Sequence, residues 1–289
     1  MSVNCGFGTW AIQFIEMEER PNLPDADRLS ILVASILLAY VLASFINLGG
    51  DQLGLQLPGF FFSIDLSVQS VVRLLVAVLA AVGADWLIRS HPDLGGQTTI
   101  QHWMLPALTA WVIGVPLSSI EPGPGWWGVL GFGALLLILV FIAEYISVDL
   151  SGALYAPATV GLTALSFALA LILTITIRAG SLRLYLIIPA VVITIFLVVL
   201  RSLYMRLGGR WLWAWAAAIA VVVGQLALAF HYLPIRPLSY GLLILGPAYA
   251  LTSLAGALIE QRPGRTLWIE PVLMLVVIWG LAIALGGLV

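Results

Sequence analysis

Asp85 and Arg89 stand four residues apart, a spacing that puts a carboxylate and a guanidinium on one helix face within pairing reach. His91 and His102 flank the loop that follows. Glu144 and Tyr145 lie near the end of a later apolar segment, with Asp149 just beyond. If the apolar segments are membrane spans of alternating direction, Asp85, Arg89, His91, His102 and Glu144 all reach one interface. Two chemistries suit such a set. Histidine titrates near neutrality and makes a proton relay with a carboxylate; imidazole and carboxylate together also ligate divalent metals. The ordinary alternative is a hydrated rim that caps helices and pairs charges, because helix ends collect polar residues at the bilayer surface. The sequence favours the rim, and no metal is expected. Arg73 stands apart as the candidate intramembrane charge, seven residues into the second apolar segment. It is either an anion-binding or gating charge or an arm whose stem runs back toward the headgroups; the second is the expectation.

Counting removes other chemistries. All 12 basic residues are Arg. Without Lys there is no Schiff-base or retinal-binding amine and no phosphate-loop nucleotide site. A single cysteine, Cys5, leaves no intramolecular disulfide, zinc knuckle or iron–sulfur ligand set. The sequence has no Gly-x-Ser-x-Gly, His-Glu-x-x-His or Glu-x-x-His motif. Bis-histidine haem needs two imidazoles at similar depth on facing helices, yet His231 is expected on the opposite side from His91 and His102. No cofactor is therefore expected.

The elements that must position these residues follow from composition. The 289 residues are 62% hydrophobic and 9% charged, with a mean hydropathy of +1.09, whereas soluble proteins carry about 25% charged residues. The chain reads as an all-α polytopic membrane bundle. Nine segments approach the roughly 20 apolar residues a spanning helix needs: Leu29–Leu48, Leu66–Ile88, His102–Ser118, Trp126–Ile146, Ala158–Ile177, Leu184–Leu200, Trp211–Phe230, Ser239–Ile259 and Pro271–Leu288. Breakers such as Gly49-Gly50-Asp51, Gly123-Pro124-Gly125 and Gly208-Gly209-Arg210 separate them. The third is the shortest and holds Pro106 and Pro116. The segments are apolar all round, which excludes the alternating pattern of a β-barrel.

Retention of positive charge in cytoplasmic loops puts the N-terminus inside and the C-terminus outside the cell membrane. Eight Arg (20, 28, 89, 201, 206, 210, 262 and 265) then fall inside, against three (178, 183 and 236) outside. If the third segment fails to cross, the split becomes six against five. Trp126-Trp127 and Trp211, Trp213 and Trp215 mark interfacial belts. Residues 1–28 form a short cytoplasmic segment, with Glu16, Glu18 and Glu19 and no basic n-region of a signal peptide. Met17 is an equally good start, and Asp27 is placed to cap the first helix. Residues 29–289 form one transmembrane domain.

A shift of 113 residues lays Leu94-Gly95-Gly96 on Leu207-Gly208-Gly209, and Pro124, Gly128 and Gly133 on Pro237, Gly241 and Gly246. Arg89-Ser90 meets Arg201-Ser202 with one residue of slack. Only nine of 53 positions are identical between 94–146 and 207–259, so the aligned turns carry the inference. They predict a parallel four-span repeat, halves 29–146 and 158–259, with the helix 271–288 extra; such repeats occur in transporters. Pro189 and Pro247 are expected to kink their spans, and the small residues from Gly246 to Gly256 to admit a close neighbour. With few intramembrane charges and no catalytic constellation, the leading expectation is a non-enzymatic structural or accessory membrane protein. A small-solute or ion transporter with a site between the repeats is the alternative, and an enzyme using the cytoplasmic helix ends the third. The expected partners are the bilayer and a membrane protein or second copy of the chain, with no nucleic acid.

Overall fold

The computed structural model describes residues 23–45, 51–57, 60–66, 68–95, 98–149, 152, 154–180, 184–261 and 264–286. Residues 1–22, with Cys5, Met17 and Glu16, Glu18 and Glu19, lie outside them. Nine α-helices are found among the described residues: α1 (Ala26–Phe45), α2 (Val68–Ile88), α3 (Met104–Ser119), α4 (Pro124–Ile146), α5 (Tyr155–Ala179), α6 (Leu184–Arg206), α7 (Trp213–His231), α8 (Pro237–Ile259) and α9 (Gly264–Gly286). Each matches one expected segment. Helices satisfy every backbone polar group within the segment, which is what an apolar chain in lipid requires. The protein is a multi-pass helical membrane bundle.

Two local details differ from expectation. The first helix starts at Ala26, so Asp25 is the cap: its Oδ1 accepts the Asp27 N–H at 3.0 Å, and Asp27 sits in the first turn. The connection from α1 to α2 carries an antiparallel hairpin, β1 (Asp51–Leu57) with β2 (Phe60–Leu66), in the register Gly54 opposite Ser63. The alternation Leu53, Leu55, Leu57 is the strand signature. The helix that follows the hairpin begins at Val68, two residues after the expected start of the second span at Leu66.

Eight of the nine helices are long and apolar enough to cross a membrane; α3 is not. Its 16 residues extend only about 24 Å. It nevertheless runs between α2 and α4 and is tied at its middle and near its C-terminal end, the Tyr40 hydroxyl donating to the Ala110 carbonyl and Trp126 Nε1 to the Leu117 carbonyl at 3.1 Å. No residue from Met104 to Ser118 is exposed. Enclosed by other helices, α3 is released from the length rule that lipid contact imposes. Packed neighbours also tolerate its Pro116.

The helices form two closed circuits. Around the first, α1 packs on α2, α2 on α3, α3 on α4, and α4 back on α1; α5 to α8 follow the same order. Each circuit has its own core. Ile36, Ala80, Leu137 and Phe141 belong to the first; Val191, Val199, Ala220 and Ile244 to the second. A smaller cluster of Leu105, Val112, Val140, Leu162, Leu169 and Met205 fills the seam between them. Helix α9 packs chiefly on α8, where Gly246 faces the Trp279 ring. The glycines Gly95 and Gly208, which the 113-residue shift superposes, both adopt positive φ (53° and 63°), a region that favours glycine.

Small residues set the helix spacing. A Cβ on Gly133 would come within 2.6 Å of the Ile113 side chain of α3, whereas one on Gly131 meets nothing within 4 Å. Gly133→Val should therefore destabilise the protein by about 1–3 kcal/mol through overpacking, and Gly131→Val should be near neutral. Thermal unfolding of the detergent-purified variants reads the difference; equal stability would contradict the placement of α3 against α4.

Candidate functional site

The buried polar residues gather where the seam reaches one end of the bundle. Glu144 lies two residues before the end of α4, its side chain 1% exposed. His102 comes from the 3₁₀ turn Ile100–His102 that leads into α3, and Arg201 from α6, five residues before its end. Arg201 Nη2 donates to Glu144 Oε2, and His102 Nδ1 meets the same oxygen at 2.7 Å. Ser147, just past the end of α4, donates to the Glu144 carbonyl at 2.9 Å and lies 3.5 Å from both His102 Nδ1 and Glu144 Oε2. The Arg201 guanidinium also stands over the Tyr204 ring, 5.7 Å from its centroid.

This arrangement is one-sided. Both Arg201 and His102 approach Oε2, while Glu144 Oε1 and Arg201 Nε are buried with no hydrogen-bond partner within the chain. A buried charge is tolerated only when paired and hydrogen-bonded, and here one polar atom of each group is unanswered. Beside them lies a cavity of about 210 Å³, lined by Gln101, His102, Ser147, Tyr155, Thr159, Arg201 and Tyr204 among others, with Gly208 and Gly209 in its wall. Arg201, His102 and Ser147 line it directly, and Glu144 stands behind them. Both glycines have positive φ, so the wall there is bare backbone that a side chain would strain.

The five residues singled out in the sequence do not form one cluster. His102 and Glu144 come together as described. Asp85 pairs with Arg89 at 2.6 Å on the outside of α2, with Arg89 66% exposed, and also accepts from the Thr99 hydroxyl. That pair is the rim the sequence favoured, and the Thr99 bond fastens the loop back to α2. His91 is buried with its ring 4.6 Å from that of Tyr145. Among the described residues no three His, Cys, Asp or Glu side chains converge to hold a metal ion. Arg73 lies at the other end of the bundle. It is half-buried, its stem against Gly114 of α3 beside Tyr40, and it lines a small recess closed by Trp126. It therefore faces neighbouring helices as well as the interface. His231 is also at that end, where Arg178 Nη1 donates to its Nδ1 at 3.2 Å.

Arg201 is the residue that sequence reasoning passed over, counting it only as a loop charge because the apolar run stops at Leu200. The helix continues to Arg206, and a signal for it was present. Ile187, Val191, Thr194, Val198, Arg201 and Met205 are the buried stripe of α6, at the three- and four-residue spacing of one helix face. The superposition of Arg89-Ser90 on Arg201-Ser202 pointed the same way, although Arg89 is a surface partner and Arg201 a buried one.

Removing one member of a buried pair strands the other charge, at about 3–5 kcal/mol, while replacing both by apolar residues is often neutral. Glu144→Met and Arg201→Met should each lower thermal stability sharply, and the double variant should recover most of the loss. Single variants as stable as the parent would contradict a desolvated pair across the seam.

The comparisons extend this description in one direction. No curated protein and no solved structure matches the chain. A family model described as "Protein of unknown function (DUF5656)" matches residues 49–285, a stretch that begins after α1 and contains every residue of the site. The chain belongs to this family of unknown function.

Proposed function

We propose that the protein binds a small polar solute in the seam between its two four-helix circuits and acts as a solute- or ion-handling membrane protein rather than as a passive scaffold. The observation that carries this reading is the pair of unanswered charged atoms, Arg201 Nε and Glu144 Oε1, beside a polar cavity. A scaffold gains from a dry and fully satisfied seam, since each buried unpaired polar atom costs stability. A solute acceptor, such as a hydroxyl or carboxylate oxygen, would answer Arg201, which lines the cavity, and Glu144 behind it keeps that guanidinium charged and in place. Tyr155, Tyr204, Thr159 and Gln101 supply further hydrogen-bonding groups around it.

The two circuits support an organisation as parallel repeats. Their helix order is the same, and the superposed turn glycines share a left-handed conformation. On this reading the site lies between the repeats, as in transporters with internal repeats, but at the helix ends and not at the midplane where theirs lie. The Arg excess in the loops supports a cytoplasmic N-terminus and puts the cavity mouth, near Arg206 and Arg210, on the cytoplasmic face.

The test is purification of the full chain in mild detergent, with mass spectrometry of released small molecules and of co-purifying proteins. The parent protein should carry a small polar molecule that Arg201→Gln and Thr159→Trp both lose. The same small-molecule profile in all three, together with a stoichiometric protein partner, would replace this reading with that of an accessory subunit.

A further inference from the structure

A second recess lies on the other side of Arg201's neighbour in the chain. It is a groove of about 340 Å³ between α5, α6 and α8, lined by Val160, Ala164, Phe167, Ser202, Met205, Arg206 and Ser253 among others. It touches the polar cavity only along Thr159 and Met205, and its walls are mostly apolar. Val160 at its lip is 70% exposed, and Ala164 is exposed too. The groove therefore opens through the flank of the bundle, where the lipid lies.

Two hydroxyls in it behave unlike the rest. Mid-helix buried hydroxyls in α5, α6 and α8 donate back to the carbonyl four residues earlier, as Thr194 does to Ala190 at 2.7 Å, Thr252 to Ala248 at 2.6 Å and Ser166 to Leu162 at 2.7 Å; Ser239, also without a partner within the chain, lies in the first turn of α8, away from the groove. Ser202 and Ser253 are as deeply buried, each 3% exposed, yet neither Oγ has a hydrogen-bond partner within the chain. They line the groove instead of closing on their own backbones. One turn further toward the helix ends lies Arg206, whose Nε donates to Glu260 Oε1 at 2.7 Å and whose Nη1 reaches the Ser253 carbonyl at 3.4 Å. It lies flat across α8 because residue 256 is glycine; a Cβ there would come 2.6 Å from Arg206 Nε. A guanidinium has five N–H groups, so Arg206 keeps donors for an anion beyond its contacts with Glu260 and Ser253.

We propose that this groove is a binding site for one glycerophospholipid of the surrounding bilayer. Its phosphate sits at Arg206, its ester carbonyls accept from Ser202 and Ser253, and one acyl chain runs along Ala164 and Phe167. The order of chemistries along the groove matches that of the lipid. The cation lies at the helix-end level, the unpaired donors about 6 Å deeper, one helical turn, and the apolar wall deeper again. An ester carbonyl accepts and does not donate, which is what two orphan hydroxyl donors need. The site is separate from the polar cavity and does not depend on what that cavity binds.

The experiment uses the full chain in phosphatidylcholine nanodiscs containing a phosphatidylcholine with a diazirine in one acyl chain. After irradiation, adducts are mapped by peptide mass spectrometry. Adducts should concentrate on residues 160–167 and around Tyr249, above the background on exposed α9 residues such as Val276 and Ile283. Ala164→Trp, which fills the groove from an exposed position, should abolish the groove adducts and leave the α9 background. Ser202→Ala with Ser253→Ala should reduce them about thirtyfold, the equivalent of two ordinary hydrogen bonds, and keeps the test alive if the tryptophan variant fails to fold. Lysophosphatidylcholine should compete and lauric acid should not. Adducts spread evenly over α5 and α9, or unchanged by loss of both hydroxyls, would overturn the site. Equal competition by lauric acid would overturn the assignment of the headgroup to Arg206.

Discussion

The bond between Arg201 and Glu144 is the constraint on which the rest of the arrangement turns. Two opposite charges in a low-dielectric interior attract strongly, but each has also lost its hydration, so their geometry must be nearly saturated to break even. Here it is not. The guanidinium and the imidazole crowd one carboxylate oxygen and leave the other bare. The pair ties the end of α4 to the end of α6, and so one circuit to the other, while keeping Arg201 turned toward the cavity. Structure and proposed chemistry thus come from one imperfect ion pair.

The way the helices approach one another follows from the same economy of charge. With so few polar side chains, packing is left to shape. Glycines admit the neighbours that matter, Gly133 receiving Ile113, Gly246 receiving Trp279 and Gly256 receiving Arg206. Each circuit builds its own apolar core, and the seam between them is thinner. It is at the end of this thinner layer that Glu144 and Arg201 meet, where the helix ends bring water within reach. Helix α3, wrapped on all sides, lets its short N-terminal turn carry His102 into the same place.

Much of this was legible in the sequence. The hydropathy of each segment located all nine helices, because a stretch of apolar residues in lipid has no alternative to α-helix. His102 and Glu144 were identified as reaching one interface from alternation of spans alone. What was not legible depended on neighbours. Whether Asp85 joins Glu144 or turns outward to Arg89 is decided by which face of α2 meets α3, and hydropathy that is apolar all round does not reveal the face. Arg201 looked like a loop residue because apolar windows end where helices do not. The hairpin of β1 and β2 was not legible because the stretch between the first two spans, opened by the breaker Gly49-Gly50-Asp51, read as a loop. Asp25, not Asp27, caps α1 because the helix begins three residues before the apolar run does.

The central claim is that the buried pair lies beside a cavity open to one face of the membrane. Its most direct test places a single cysteine there. In a Cys5→Ser background, Val148→Cys lines the cavity, and Val223→Cys sits in the core of the second circuit with no exposure. Sealed vesicles are treated from either side with a small, membrane-impermeant sulfonated thiosulfonate. The account predicts modification of the cysteine at 148 from the same face that modifies Arg210→Cys, and from that face alone, with the cysteine at 223 inert. An unreactive cysteine at 148, or one reached from the opposite face, would contradict it.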